Sequence, residues 1–452
     1  MKRLLTILFL LSLFTNINAQ FDTEHWFAPM ADASNGSEAQ QYIYVSTNES
    51  TPFKVDIYNN NVIIGTINNL SKGSPQKFYI PREYIITSNN TEINAKATLG
   101  LHLVGEKKFF ANLRFSVFRH AEILTSKGKS ALGNNFFIGM GEQYLNRSEN
   151  TNRILNAMIG VIATEDKTTI TLSDYDPNVI FSDESTDDSK TISLNKGESY
   201  IFEAKISSSL NPNLSGLIGA QLDADKPISV TNGNFLSLAE NEGNVDILMD
   251  QSVPIERIGT EYIILKGNGS ANGTNISNSS SIGFMEKALV IATQDNTEVF
   301  VNDETTPIAT LNKGEFYIIR NKFYNPTSDI YNLYIKTTKP TYVYQLLAGA
   351  DGTGTTEFAS GGFNFIPALS CFLPNKIDEI GLVNEMPYQN NFNYYRNTKL
   401  NIITEKGATV SINGSALNSS FGPFPVKGNN AWETYVVPNV SGNVTIKSTR
   451  SV

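Results

Sequence analysis

Ile162-Ala163-Thr164-Glu165-Asp166-Lys167-Thr168-Thr169-Ile170-Thr171-Leu172, followed by Leu194-Asn195-Lys196-Gly197-Glu198-Ser199-Tyr200-Ile201-Phe202, decides the fold. The first part reads as strand, polar turn, strand. Ile170 and Leu172 face one way and Thr169 and Thr171 the other, the period of two that a half-buried strand imposes. The second part reads as a turn at Lys196-Gly197 leading into an aromatic strand. The pattern then returns. Ile291-Ala292-Thr293-Gln294-Asp295-Asn296-Thr297-Glu298-Val299-Phe300-Val301 and Leu311-Asn312-Lys313-Gly314-Glu315-Phe316-Tyr317-Ile318 repeat it almost letter for letter.

Two fainter copies flank these. Ile402 to Ile412 precedes a Lys427-Gly428 turn and a strand-like run from Trp432 to Val437, and Tyr44 to Ile57 precedes Lys72-Gly73 and Lys77 to Ile80. A third signal closes each copy: Lys107-Lys108, Lys226-Pro227, Lys339-Pro340 and Arg450. Measured at Thr47, Thr164, Thr293 and Thr404 the period is about 110–130 residues, an ordinary domain size. Blades of a β-propeller need only about 40–50 residues each. Six or seven short strands per copy, with Gly, Asn and Asp turns, suit a sandwich instead. The expected fold is all-β: tandem antiparallel β-sandwich repeats of immunoglobulin-like size. Four units are expected, over residues 20–125, 126–253, 254–373 and 374–452. The last is incomplete, since the strand that follows Pro340 in the third unit has no counterpart after Arg450. The natural chain is therefore expected to continue, into further C-terminal modules.

Residues 1–19 read as a signal peptide: basic Lys2-Arg3, apolar Leu4 to Phe14, and a polar stretch ending in Ala19, with cleavage before Gln20. The apolar core of about 11 residues is too short for a membrane span of roughly 20. The mature chain is expected to be secreted or at the cell surface, with no transmembrane segment. Its net charge of −9 argues against nucleic acid and anionic membranes as partners. With a single cysteine, Cys371, no internal disulfide framework exists, and its apolar neighbours make it a small core hydrophobe.

Catalytic constellations are missing from the sequence. Three histidines, His25, His102 and His120, occur without a His-Glu-x-x-His or a Cys/His pair at zinc spacing. Gly-x-Ser-x-Gly does not occur. The glycine-rich run Gly349 to Gly354 is closed by no lysine and followed by no helical pattern, so it reads as a connecting loop. Asp174 with Asp176, and Asp223 with Asp225, offer closely spaced carboxylates for calcium; solvated turn carboxylates are the plainer reading, and no cofactor is expected. The Lys-Gly turns follow from backbone geometry, with glycine taking positive φ and lysine guarding an edge. Variable polar segments at 266–280 and 384–397 are the expected contact surfaces, Tyr394 and Tyr395 the aromatic candidates within them. Tyr331, Tyr334, Tyr342 and Tyr344 read mostly as core.

Trp26-Phe27-Ala28-Pro29, Lys129 to Phe136, Ala163-Thr164-Glu165-Asp166, Asp225-Lys226-Pro227-Ile228 and Gln251-Ser252-Val253-Pro254 together resemble the N-terminal domain of the IgGFc-binding protein family, over residues 24–452. His25 stands where an aromatic is usual. The resemblance implies an exported surface protein, in bacteria often carrying adhesion and C-terminal sorting modules. It supplies no residue-level ligand motif, so immunoglobulin binding does not follow from it. The expected function is non-enzymatic binding or adhesion to an extracellular protein or glycan, with a polysaccharide-active enzyme and a structural spacer as alternatives.

Overall fold

The computed structural model describes residues 20–32, 40–117, 120–141, 156–205, 212–238, 245–267, 287–327, 330–347, 361–370, 373–387 and 398–452. The expected signal peptide at 1–19, Cys371, and the run 349–354 lie outside the described residues. The chain is nearly all β, and its sheets are antiparallel apart from a two-residue parallel pair, Met30–Ala31 with Ile86–Thr87.

Long strands organise the sheets. Leu101–Val117, Gln221–Leu238 and Ile330–Leu347 each serve two sets of partners. The first half of each pairs with an entry strand, respectively Asp22–Phe27, Gly133–Phe137 and Gly259–Leu265. It also pairs with an outer strand: Phe53–Asn59, Thr168–Ser173 or Thr297–Val301. The second half takes an inner strand, Gln40–Ser46, Met158–Ala163 or Lys287–Ala292. Its other neighbour is a closing strand: His120–Thr125, Val245–Gln251 or Gly362–Phe365. A rim strand, Gln76–Tyr79, Ser199–Glu203 or Phe316–Ile319, lies beyond each inner strand. One strand order thus recurs three times. In the fourth copy Lys376–Ile380 and Val410–Ile412 flank Val444–Ser448, and Thr398–Glu405 pairs with Asn429–Val440. These are two separate sheets, because among the described residues no strand spans both.

The repeated threonine sits where each long strand passes from one set of partners to the other. Thr47 Oγ1 donates to the Lys108 carbonyl at 2.8 Å, Thr164 to Pro227 at 2.5 Å, Thr293 to Pro340 at 2.7 Å and Thr404 to Ser451 at 2.7 Å. The basic residue beside that carbonyl closes the loop from the other side. Lys226 Nζ donates to the Asp166 carbonyl and Lys339 Nζ to that of Asp295, both in the turn that follows the threonine. The signals that mark the repeat in the sequence are therefore one interlock in space.

Inner and outer strands differ as their sequences require. Thr168–Ser173 alternates buried and partly or fully exposed positions. Met158–Ala163 and Lys287–Ala292 are buried at every position, the near-continuous apolar composition of a strand covered on both faces. One face packs in its own unit and the other against the unit before. Met158 joins the first core while Ile159 and Val161 join the second; Leu289 and Ile291 join the second while Ala288 and Val290 join the third.

The Lys-Gly turns are contacts between units as well as turns. Gly73, Gly197, Gly314 and Gly428 all have φ between 76° and 85°, a conformation that costs glycine nothing. The Lys196 carbonyl accepts from Asn61 Nδ2 at 2.6 Å in the first unit. Lys313 Nζ lies 3.6 Å from Asp174 in the second, and Lys427 Nζ 3.0 Å from Asp303 in the third. The Gly73 amide donates to both carboxylate oxygens of Glu379 in the fourth, at 2.8 and 2.9 Å. The first unit thus meets the fourth, and the contacts form a closed circuit. Arg114 completes this closure. Fully buried over the Tyr44 ring, 3.9 Å away, its guanidinium donates to the carbonyls of Gly381, Leu382 and Glu385.

The first three units also meet through their closing strands. Lys127, just after the first, donates to Asp250 Oδ1 on the second at 2.7 Å, and the Phe365 amide on the third donates to Asp250 Oδ2 at 2.8 Å. A glycine makes the first of these junctions possible: a Cβ at Gly160 would lie 1.9 Å from the Pro29 carbonyl oxygen. Gly160→Ala is expected to cost about 3 kcal/mol or more in urea denaturation, because backbone must move. Gly407→Ala, at φ 76° with open space around it, should cost only about 1–2 kcal/mol. Equal losses would mean that the two units are not packed as described.

Candidate functional site

The chemistry-bearing side chains are mostly absorbed by structure. His25 is completely buried, its ring between Ser126 Oγ and the Phe109 carbonyl, each at 2.9 Å. Burial pulls its pKa down to about 4. His102 stacks on Trp26 at 3.7 Å and meets Glu24 Oε1 at 2.8 Å. That bond to His102 holds the Glu24 carboxyl down at about 2, while burial lowers His102.

The four aspartates do not converge. Asp174 faces Lys313, Asp176 caps Asn178, Asp223 accepts from Gln221, and Asp225 accepts the Thr169 amide at 2.8 Å. Among the described residues no group of three or more His, Cys, Asp and Glu side chains is placed to hold a metal ion. Tyr394 and Tyr395 lie outside the described residues, as does most of both variable segments. Tyr342 and Tyr344 are fully buried and Tyr334 nearly so. The first two stack 6.2 Å apart at the junction of the second and third units, where Tyr342 Oη donates to the Val253 carbonyl.

What the structure does build is a groove of about 350 Å³ along the third rim strand, lined by Phe316, Tyr317, Ile318, Arg320, Lys322 and Phe323. The Lys313-Gly314 turn launches this strand, and the short helical turn Asn321–Phe323 ends it, with the Phe323 amide donating to the Arg320 carbonyl. Phe316 and Ile318 lean on the core shared with the second unit, Tyr317 and Phe323 on the third core. All four remain partly exposed, while Arg320 and Lys322 stand in solvent, the lysine 4.8 Å over the Phe323 ring. An apolar floor with two cations and no acid among its lining residues can hold an extended or anionic partner.

Sequence reading looked for contacts on variable loops and passed over this repeated strand. A signal was present in the comparison of copies. Ser199-Tyr200-Ile201-Phe202-Glu203 in the second unit aligns with Phe316-Tyr317-Ile318-Ile319-Arg320 in the third. Glu203 is buried, whereas Arg320 is exposed.

A family model described as IgGFc binding protein matches residues 123–452, well over half of the chain. The chain belongs to that family. The match begins within the first closing strand, whereas the motif resemblance starts near Trp26. Among curated proteins the sequence finds no match. No helix among the described residues is long and apolar enough to cross a membrane.

Buried histidine gives the protein a pH signature. The unfolded chain takes up a proton at His25 near pH 6.5, the folded chain only near 4. Between these values the unfolded state holds more protons, so stability falls as pH drops through the window. His102 shifts in the same direction. The loss attributable to His25 is on the order of 3 kcal/mol. Urea unfolding from pH 7 to 4 should show it in the wild type and a flatter profile in His25→Gln. Identical slopes in the two proteins would contradict a neutral, buried His25.

Proposed function

From membership of the IgGFc-binding family, we propose that this chain is an exported, non-enzymatic protein that captures a protein ligand at the cell surface. The groove along Phe316–Ile319 is its principal contact. The single observation that carries the reading is this groove: aromatic, cationic and open, on a body otherwise acidic. Rigid surroundings favour recognition, since a preordered surface loses little freedom on binding. The variable segments 266–280 and 384–397, with Tyr394 and Tyr395, are proposed as further contacts on the ground of their polar, aromatic composition. Export rests on the signal-like residues 1–19. Further C-terminal modules would carry surface attachment, as in bacterial members of the family.

The scarcity of histidine and the dispersed aspartates favour binding over hydrolysis, and protein over glycan is favoured by the family description's own words, IgGFc binding protein. Surface plasmon resonance of the mature chain over immobilised extracellular proteins, the Fc fragment of IgG among them, tests this beside a glycan array. Saturable binding to a protein, weakened at least about tenfold by Lys322→Glu combined with Phe323→Asp, is expected. Binding to glycans alone, turnover of any glycan or peptide, or no saturable protein binding would each contradict it.

A further inference from the structure

The hydrogen-bond phase of the third inner and rim strands fixes what the groove offers. The Ala292 amide donates to the Glu315 carbonyl and the Ala292 carbonyl accepts from the Gly314 amide. Two residues on, Val290 faces Tyr317, and after two more Ala288 faces Ile319. In an antiparallel ladder these alternate pairs exchange the hydrogen bonds. Phe316 and Ile318 therefore aim their N–H and C=O groups away from the inner strand, along the groove.

Each of the other rim strands has a neighbour on this side. In the second unit it is Lys96–Ala97, antiparallel to Ser199 and Tyr200. The Asn94 amide donates to the Ile201 carbonyl at 2.8 Å, and the Asn94 side chain both accepts from and donates to the Glu203 backbone. In the fourth unit Phe424–Val426 lies beside Asn429–Val440. In the first, Gly381 and Glu385 come alongside Pro75 and Lys77. The first and third rim strands each pair on one side only among the described residues, and the first has Gly381 and Glu385 of the fourth unit beside it. An edge that presents unpaired backbone groups is a template for another strand.

We infer that the edge of Phe316–Ile319 is a strand-accepting site for an extended segment of a partner protein, which adds antiparallel to it. This rests on the groove being the protein-binding surface proposed above. Charge complementarity specifies the segment. In the second unit the Lys96 ammonium lies 3.3 Å from Glu198 on the rim strand, beside the launching turn. Glu315 occupies that place in the third unit, and at the other end Arg320 and Lys322 replace the acid. Following the polarity of residues 94–97, the incoming segment starts at the Arg320 end. It carries carboxylates in its first half and a basic residue towards Glu315.

The probe is a fluorescein-labelled hexapeptide, Glu-Val-Glu-Val-Lys-Val, capped at both ends and titrated into the mature chain by fluorescence anisotropy. Two N-methylated forms each block one alternate set of peptide amides. One form should weaken binding at least about tenfold and the other should bind nearly as the parent does, because only one set faces the rim strand. Replacing both glutamates with lysine should also weaken binding about tenfold, and Lys322→Glu should reverse that preference. Equal effects of the two methylated forms, or indifference to charge, would overturn strand addition. So would a chain whose Lys322/Phe323-dependent capture of a protein ligand persists while the hexapeptide fails to bind. Loss of protein capture itself, in the resonance experiment above, would overturn the groove reading instead.

Discussion

A threonine hydroxyl bonded to one backbone carbonyl is the interaction on which the rest of this structure depends. In the first three copies it meets the long strand at the residue where partners change, and in the fourth it meets Ser451, just past Val444–Ser448. A carbonyl at such a crossover loses its ladder partner and must find another donor. The inner strand supplies it at the point where that strand itself ends in a turn. In the first three units the two sets of partners are thereby fixed to each other through a single continuous strand, and neither can shift register alone. The lysine that returns to the turn carbonyl in the second and third units secures the same crossing.

From that fixed crossing the association of units follows. Because the second and third inner strands are buried on both faces, each of those units by itself would leave one face wet, and the preceding unit covers it. Lys127, Asp250 and the Phe365 amide tie three closing strands at one buried ion pair. Such a pair gives little net stability but is costly to break, so it enforces a particular arrangement. Arg114 does the same between first and fourth units, its five donors suited to several carbonyls at once. The groove along Phe316–Ile319 is held by packing against both the second and the third cores.

The repeat was legible because its parts are local in sequence: a threonine before a polar turn, a glycine at positive φ, a lysine beside the crossover. The alternation from Thr169 to Leu172 marked a half-buried strand, whereas the burial of Met158–Ala163 and Lys287–Ala292 on both faces came only with the structure. Contacts between distant copies left no such trace. Nothing around Arg114 announces that residues 381–385 will lie on it, and the Lys-Gly turns read as solvent-facing edges when they are junctions. Asp174, Asp176, Asp223 and Asp225 read more plainly as turn carboxylates than as calcium ligands, because short acidic spacings serve capping and ion pairing equally well. The groove was hidden for a different reason. Its edge differs from the filled one in the second unit by what lies beside it, and that neighbour, residues 94–97, comes from another unit.

If the units form one body, they should unfold as one, although chains of this size commonly come apart in stages. The two tryptophans report on opposite junctions. Trp26 packs with Ile162 between the first and second units, and Trp432 with Ile263 and Tyr334 between the third and fourth. Urea unfolding of Trp26→Phe and Trp432→Phe, each followed by its remaining tryptophan and by far-ultraviolet circular dichroism, is the most direct measurement. Fluorescence and dichroism midpoints that coincide within each variant are the predicted result. A tryptophan signal lost at one junction while most of the strand signal persists would contradict the shared cores and the closed circuit.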